Sequence, residues 1–132
     1  MVDSHIGMQS MFEEEKLNNR AFDYYIRLRK VREYVGHHYS DTVSLGQAAS
    51  VACMEPKSFS KFFRQRVGVP FHFWLTHLRI CEAKKLIRAS DDSITEIAHA
   101  VGFEDLRTFE RAFRRHSGLS PREFKKSILS PL

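Results

Sequence analysis

The stretch SLGQAASVACMEPKSFSKFFRQRVG, residues 44 to 68, returns as SITEIAHAVGFEDLRTFERAFRRHSG at residues 93 to 118. Ser44-Leu45 and Ala49 fall on Ser93-Ile94 and Ala98 at an offset of 49, whereas Phe59, Phe63 and Gly68 fall on Phe109, Phe113 and Gly118 at an offset of 50. The second copy has therefore gained one residue in its turn. Each copy opens on a serine that can cap a helix, and the third residue on, Gln47 or Glu96, can answer it in a capping box. A small residue within that helix lets a second one cross it closely after a short turn. The longer second helix carries Phe at i and i+4 and stops at Gly. That pattern is a helix-turn-helix unit, and the repeat makes two of them.

Outward from the repeat the remaining segments also read as helix. Phe71 to Ala89 connects the two copies, and Gly68, the Ser-Asp-Asp run at 90 to 92 and Gly118 are breaks. A third capping box runs from Ser120 to Glu123, with Pro121 suited to the first helical position because it needs no donor there. Upstream, Leu28, Val31 and Val35 recur at i, i+3, i+7 from about Asp23, closing at Gly36 and the pair His37-His38. A weaker helix is expected around Phe12 to Leu17. No segment alternates as a strand. The expectation is an all-α chain of about seven helices: two helix-turn-helix subdomains at about 44–68 and 93–118, a long linker helix at about 71–89 and a final helix at about 120–128. Residues 23–132 form the domain. Residues 1–22 are expected to be a flexible tag or linker, with Met1 to Gln9 resembling a vector remnant.

A chain of 132 residues with 42% hydrophobic content and eleven Phe can bury one core, and it excludes a large multidomain enzyme. Residues 1 to 43 carry 6 basic and 7 acidic groups, whereas residues 44 to 132 carry 15 and 9. The basic portion and a sequence pI of about 9.4 point to a polyanionic partner. Cys53 and Cys81 lack ligand or disulfide-framework spacing. With no membrane span or secretory signal, the chain is expected to be cytoplasmic and not membrane-bound.

If Phe59, Phe62 and Phe63 point inward, Lys57, Ser60, Lys61 and Arg64 share the outer face of the first longer helix. In the second, Phe109, Ala112 and Phe113 point inward and leave Arg107, Glu110, Arg111 and Arg114 outside. A single cationic stripe is most often just a solvated face. Two stripes in register, each behind a capped helix and a turn, favour contact with double-stranded DNA, where base edges call for Lys, Arg and short polar groups.

The residues Arg79-Ile80, Ala83, Leu86-Ile87, Ile94, Ile97-Ala98, Gly102-Phe103, Phe109, Phe113-Arg114-Arg115, Gly118, Ser120-Pro121 and Phe124-Lys125 resemble the signature of the AraC/XylS family of bacterial transcription regulators. The resemblance covers about residues 25 to 128. It implies a seven-helix DNA-binding domain that places two recognition helices in successive major grooves and regulates transcription. It further implies that Lys57, Ser60, Lys61, Leu106, Arg107, Glu110 and Arg111 hold base-reading positions. Lys61 stands where many members carry Arg, so a bidentate guanine contact becomes a point-charge contact. Leu106 suits a thymine methyl or simple packing. Lys125 replaces the usual Arg, and Cys53 stands where the second turn has Gly102. Arg64, Arg114, Arg115, Ser120, Arg122, Lys125 and Lys126 are the candidates for DNA phosphate contact, with Ser120 and Arg122 at the start of the final helix.

Seven His do not make a metal site: His37 and His38 diverge by about 100° on a helix, and His72 and His77 miss the i, i+4 spacing of a zinc helix. No phosphate loop or nucleophile motif is present, so neither an enzyme nor a cofactor is expected. The competing reading is a protein-interaction module that docks on RNA polymerase or another regulator. RNA polymerase is an expected partner on the first reading too, and the isolated domain is expected to be monomeric. The chain reads as a stand-alone regulator or as the C-terminal part of a longer one.

Overall fold

The computed structural model describes residues 16–129. Among them run eight helices and no strand: α1 (Arg20–Tyr24), α2 (Ile26–His38), α3 (Leu45–Val51), α4 (Pro56–Val67), α5 (Phe71–Ala89), α6 (Ile94–Ala100), α7 (Leu106–Ser117) and α8 (Pro121–Leu129). The short α1 is the addition to the expected seven. The described chain forms two compact units that divide within α5, one ending at Thr76 and the other starting at His77.

In the first unit Leu28, Val31 and Val35 of α2 are buried, as their spacing requires. The helix continues through Gly36 to His38. A Cβ at Gly36 would meet nothing, and an exposed glycine costs a helix only about 1 kcal/mol, too little to end one held by its apolar stripe. The core gathers on Phe63, whose ring lies 5.7 Å from Phe59, 5.4 Å from Phe71, 5.6 Å from Trp74 and 6.0 Å from Phe22.

The core of this unit also takes in residues ahead of residue 23. Phe22 is 1% exposed and stacks on Trp74 at 5.0 Å, with the Arg32 guanidinium 5.7 Å from its ring. The Asn18 N–H donates to the Val67 carbonyl at 2.7 Å, which ties the segment before α1 to the end of α4. A lone Phe in a polar stretch has no period to reveal it; only its partners do. The opening Met1 to Gln9 and most of the helix expected at Phe12 to Leu17 lie outside the described residues.

In the second unit α5 contributes Ile80, Ala83 and Ile87 to a core with Ile97, Ala98, Val101, Phe109 and Phe113. Rings continue it from Phe103 to Phe109 at 5.2 Å, to Phe113 at 5.7 Å and to Phe124 at 5.5 Å. Lys84 and Arg88 lie over the Phe124 ring at 5.8 and 5.2 Å, and the attraction of each cation to the aromatic ring adds to packing.

Candidate nucleic-acid interface

All three expected boxes close. Ser44 accepts the Gln47 N–H at 3.1 Å and donates its own N–H to Gln47 Oε1 at 2.8 Å. Ser93 and Glu96 repeat this at 3.1 and 3.2 Å, and Ser120 and Glu123 at 3.1 and 3.0 Å. Each satisfies two of the donors that a helix start leaves open.

The two turns share their hydrogen bonds. Met54 N–H reaches the Ala49 carbonyl at 2.9 Å, and Phe103 N–H reaches that of Ala98 at 3.0 Å, the six-to-one closure of a Schellman motif. Cys53 at φ 57° and Gly102 at φ 104° take the left-handed position that this closure demands. The extra residue of the second copy follows it, between Phe103 and the cap of α7. There Asp105 accepts both the Thr108 N–H at 2.8 Å and the Thr108 hydroxyl at 3.0 Å. Glu55, which precedes α4, makes no such side-chain bond, and Pro56 supplies that start instead. The Thr108 hydrogen bonds, helped by the charges of Arg111 and Arg107, hold the Asp105 carboxyl below its usual range.

On α4, Phe59, Phe63 and Val67 are buried, and Lys57, Ser60, Lys61 and Arg64 are all exposed. Phe62, expected inside, is half-buried at the flank, where Tyr25 meets it edge-on at 5.5 Å and Arg66 lies 5.8 Å from its ring. On α7, Phe109, Phe113 and His116 are buried, Arg107 and Arg111 are exposed, and Leu106 and Glu110 are half-buried. Ala112 is likewise half-buried rather than inside. Both helices end on left-handed glycines, Gly68 at φ 96° and Gly118 at φ 79°.

The candidates for phosphate contact divide. Arg115, Arg122 and Lys126 are exposed, and Lys125 is half-buried. Arg114 is drawn into an ion pair, its Nη2 2.8 Å from Glu123 Oε1. At the start of α8 the box engages the N–H groups of Ser120 and Glu123, and Pro121 has none, so Arg122 is the first-turn residue whose N–H lies outside the box. The Ser120 hydroxyl accepts from Glu123 and keeps its own proton to donate.

Sequence reasoning missed His116. Burial, then the neighbouring His77, Arg115 and Lys84, lower its pKa from 6.5 to about 4. Its position, three residues after Phe113, continues the apolar stripe and was the available signal. Cys53 is exposed; Cys81 is half-buried with Sγ 3.6 Å from His77 Nε2. Among the described residues no helix is long and apolar enough to cross a membrane.

A family model described as a helix-turn-helix domain matches residues 48–127. The chain is 32% identical over 100 residues to the arabinose operon regulatory protein of Escherichia coli strain K12, covering 75% of this chain and 34% of that protein. It is 31% identical over 102 residues to the regulatory protein PocR of Salmonella typhimurium, covering 77% and 34%. It thus spans about a third of the length of these curated relatives. The solved DNA-binding domain of AdpA, a global transcriptional factor in complex with a target DNA, superposes with a TM-score of 0.72 at 28% identity, covering 76% of this chain and 91% of that one. The C-terminal domain of AraT, a response regulator from Geobacillus stearothermophilus, gives 0.72 and 28% over 76% and 84%.

Proposed function

The chain belongs to the AraC/XylS family of helix-turn-helix proteins, and from that premise we propose that it is a sequence-specific regulator of transcription that binds double-stranded DNA through α4 and α7. The observation that carries this reading is the register of the two exposed stripes: Lys57 with Arg107 and Lys61 with Arg111, each pair solvent-facing behind a capped helix and a closed turn. Arg107 and Arg111 are assigned to guanine O6 and N7, Lys57 and Lys61 to point-charge contacts, and Ser60 to either base type. Glu110 is suited to a cytosine amino group and Leu106 to a thymine methyl. Arg64, Arg115, Ser120, Arg122, Lys125 and Lys126 serve the phosphates.

Because the stripes differ in sequence, the site is asymmetric and one molecule suffices to fill it. A cytoplasmic location and contact with RNA polymerase follow the same reading. Selection of duplexes from a random pool tests it, followed by titration across salt. The expected result is two separated blocks of base preference, with affinity falling steeply from 50 to 200 mM salt, about 0.9 in log K per log salt for each phosphate contacted. A palindromic consensus filled only by dimers, or binding indifferent to salt and sequence, overturns it.

A further inference from the structure

Arg114 ends the outward stripe of α7, but its guanidinium is engaged by Glu123 at 2.8 Å. The same oxygen, Glu123 Oε1, accepts the Ser120 N–H at 3.0 Å, and the Glu123 N–H donates to the Ser120 hydroxyl at 3.1 Å. Glu123 is thus already oriented by the capping box when it meets Arg114. An exposed ion pair is ordinarily weak because two long side chains must be ordered to form it. Here one of the two is ordered in advance.

The first copy has no such arrangement. At the offset of 50, Arg114 corresponds to Arg64 and Glu123 to Phe73. Phe73 is buried and brings no carboxylate, while Arg64 is exposed and makes no ion pair among the described residues. One stripe therefore offers its last cation to an incoming anion, and the other offers a cation that a carboxylate already holds. A carboxylate and a phosphodiester oxygen compete for the same guanidinium fork.

We propose that Glu123 is an intramolecular competitor of the DNA phosphate, holding Arg114 out of that contact and thereby lowering both the affinity and the salt dependence of the second helix-turn-helix. The assignment rests on the DNA-binding reading above. It makes Glu123 a positioning residue that acts through Arg114, and it withdraws Arg114 from the phosphate contacts of the unmodified protein.

The test is the salt dependence of binding to a fluorescently labelled duplex between 50 and 200 mM salt for the wild type, Glu123→Gln and Arg114→Gln/Glu123→Gln. Glutamine preserves the cap, since Gln47 fills that role for Ser44 at 2.8 Å, and thermal unfolding followed by circular dichroism checks that each variant is folded. Glu123→Gln is expected to steepen the slope of log K against log salt by about 0.9, one added phosphate contact, and to bind about threefold tighter at the low-salt end. The double variant is expected to return to the wild-type slope. An unchanged or shallower slope in Glu123→Gln overturns the proposal, as does an increase that survives removal of Arg114, because that is a general charge effect. If the wild type itself shows no salt-dependent duplex binding, the DNA-binding reading fails as well, an outcome distinct from the other two.

Discussion

Cys53 and Gly102 occupy the same left-handed position in the two turns, at φ 57° and φ 104°, and close the same six-to-one hydrogen bond. A side chain there crowds the following carbonyl, at about 1–2 kcal/mol, whereas glycine has no Cβ to crowd it. Cys53 is exposed, so its side chain repays little of that through packing. Cys53→Gly should therefore gain about 0.5–1 kcal/mol, part of the relief being returned to the freer unfolded chain, and Gly102→Ala should lose about 1 kcal/mol or more. Urea unfolding of both variants checks the pair. Loss of stability in Cys53→Gly would mean that the thiol makes a contact that matters more than the backbone.

Arg111 is exposed in the middle of its stripe, next to half-buried Glu110. Arg111→Ala should cost about 1–3 kcal/mol on the preferred duplex and flatten the preference at one base pair. Arg122→Ala should weaken preferred and scrambled duplexes about equally. The ratio of the two affinities is the measurement. An unchanged ratio in Arg111→Ala would show that α7 presents a different face to the bases.

His116 imparts a pH dependence whose sign follows from its depressed pKa. The unfolded chain takes up a proton near pH 6.5, and the folded one only near about 4. Its contribution is therefore complete above pH 6.5 and is lost as pH falls toward 4, up to about 3 kcal/mol over the whole window and about 2 kcal/mol between pH 7 and pH 5. Unfolding free energy at those two values, compared between the wild type and His116→Leu, isolates it from the carboxylates that titrate in the same range. The leucine variant should lose less on acidification, and equal losses would place the proton elsewhere.

Ser120 joins a structural task to a proposed binding one. Ser120→Ala removes the acceptor of the Glu123 N–H and should cost about 1 kcal/mol of stability. On folded protein, well below the melting temperature, it should also weaken all duplexes about equally, because the hydroxyl proton assigned to a phosphate is gone. Full affinity in the folded variant would leave Ser120 as a cap alone.

What the sequence determined by itself is whatever repeats within one or two helical turns. Serine followed at the third residue by Gln or Glu sets the start of α3, α6 and α8. Phe at i and i+4 sets the buried faces of α4 and α7, and glycine ends both, because capping, period and left-handed backbone are local properties read from neighbours in the chain. The exposed Lys57, Lys61, Arg107 and Arg111 were legible for the same reason. Tertiary structure decided the rest. Phe22 belongs to the core because Trp74 and Phe63 meet it, and the pKa of His116 falls to about 4 because burial and then the neighbouring cationic groups disfavour its charged form. Arg114 is engaged because α8 folds back to bring Glu123 within 2.8 Å, nine residues along the chain. Such contacts join residues whose spacing has no period, so a change of direction between helices, and not the pattern along one of them, determines which charge remains available.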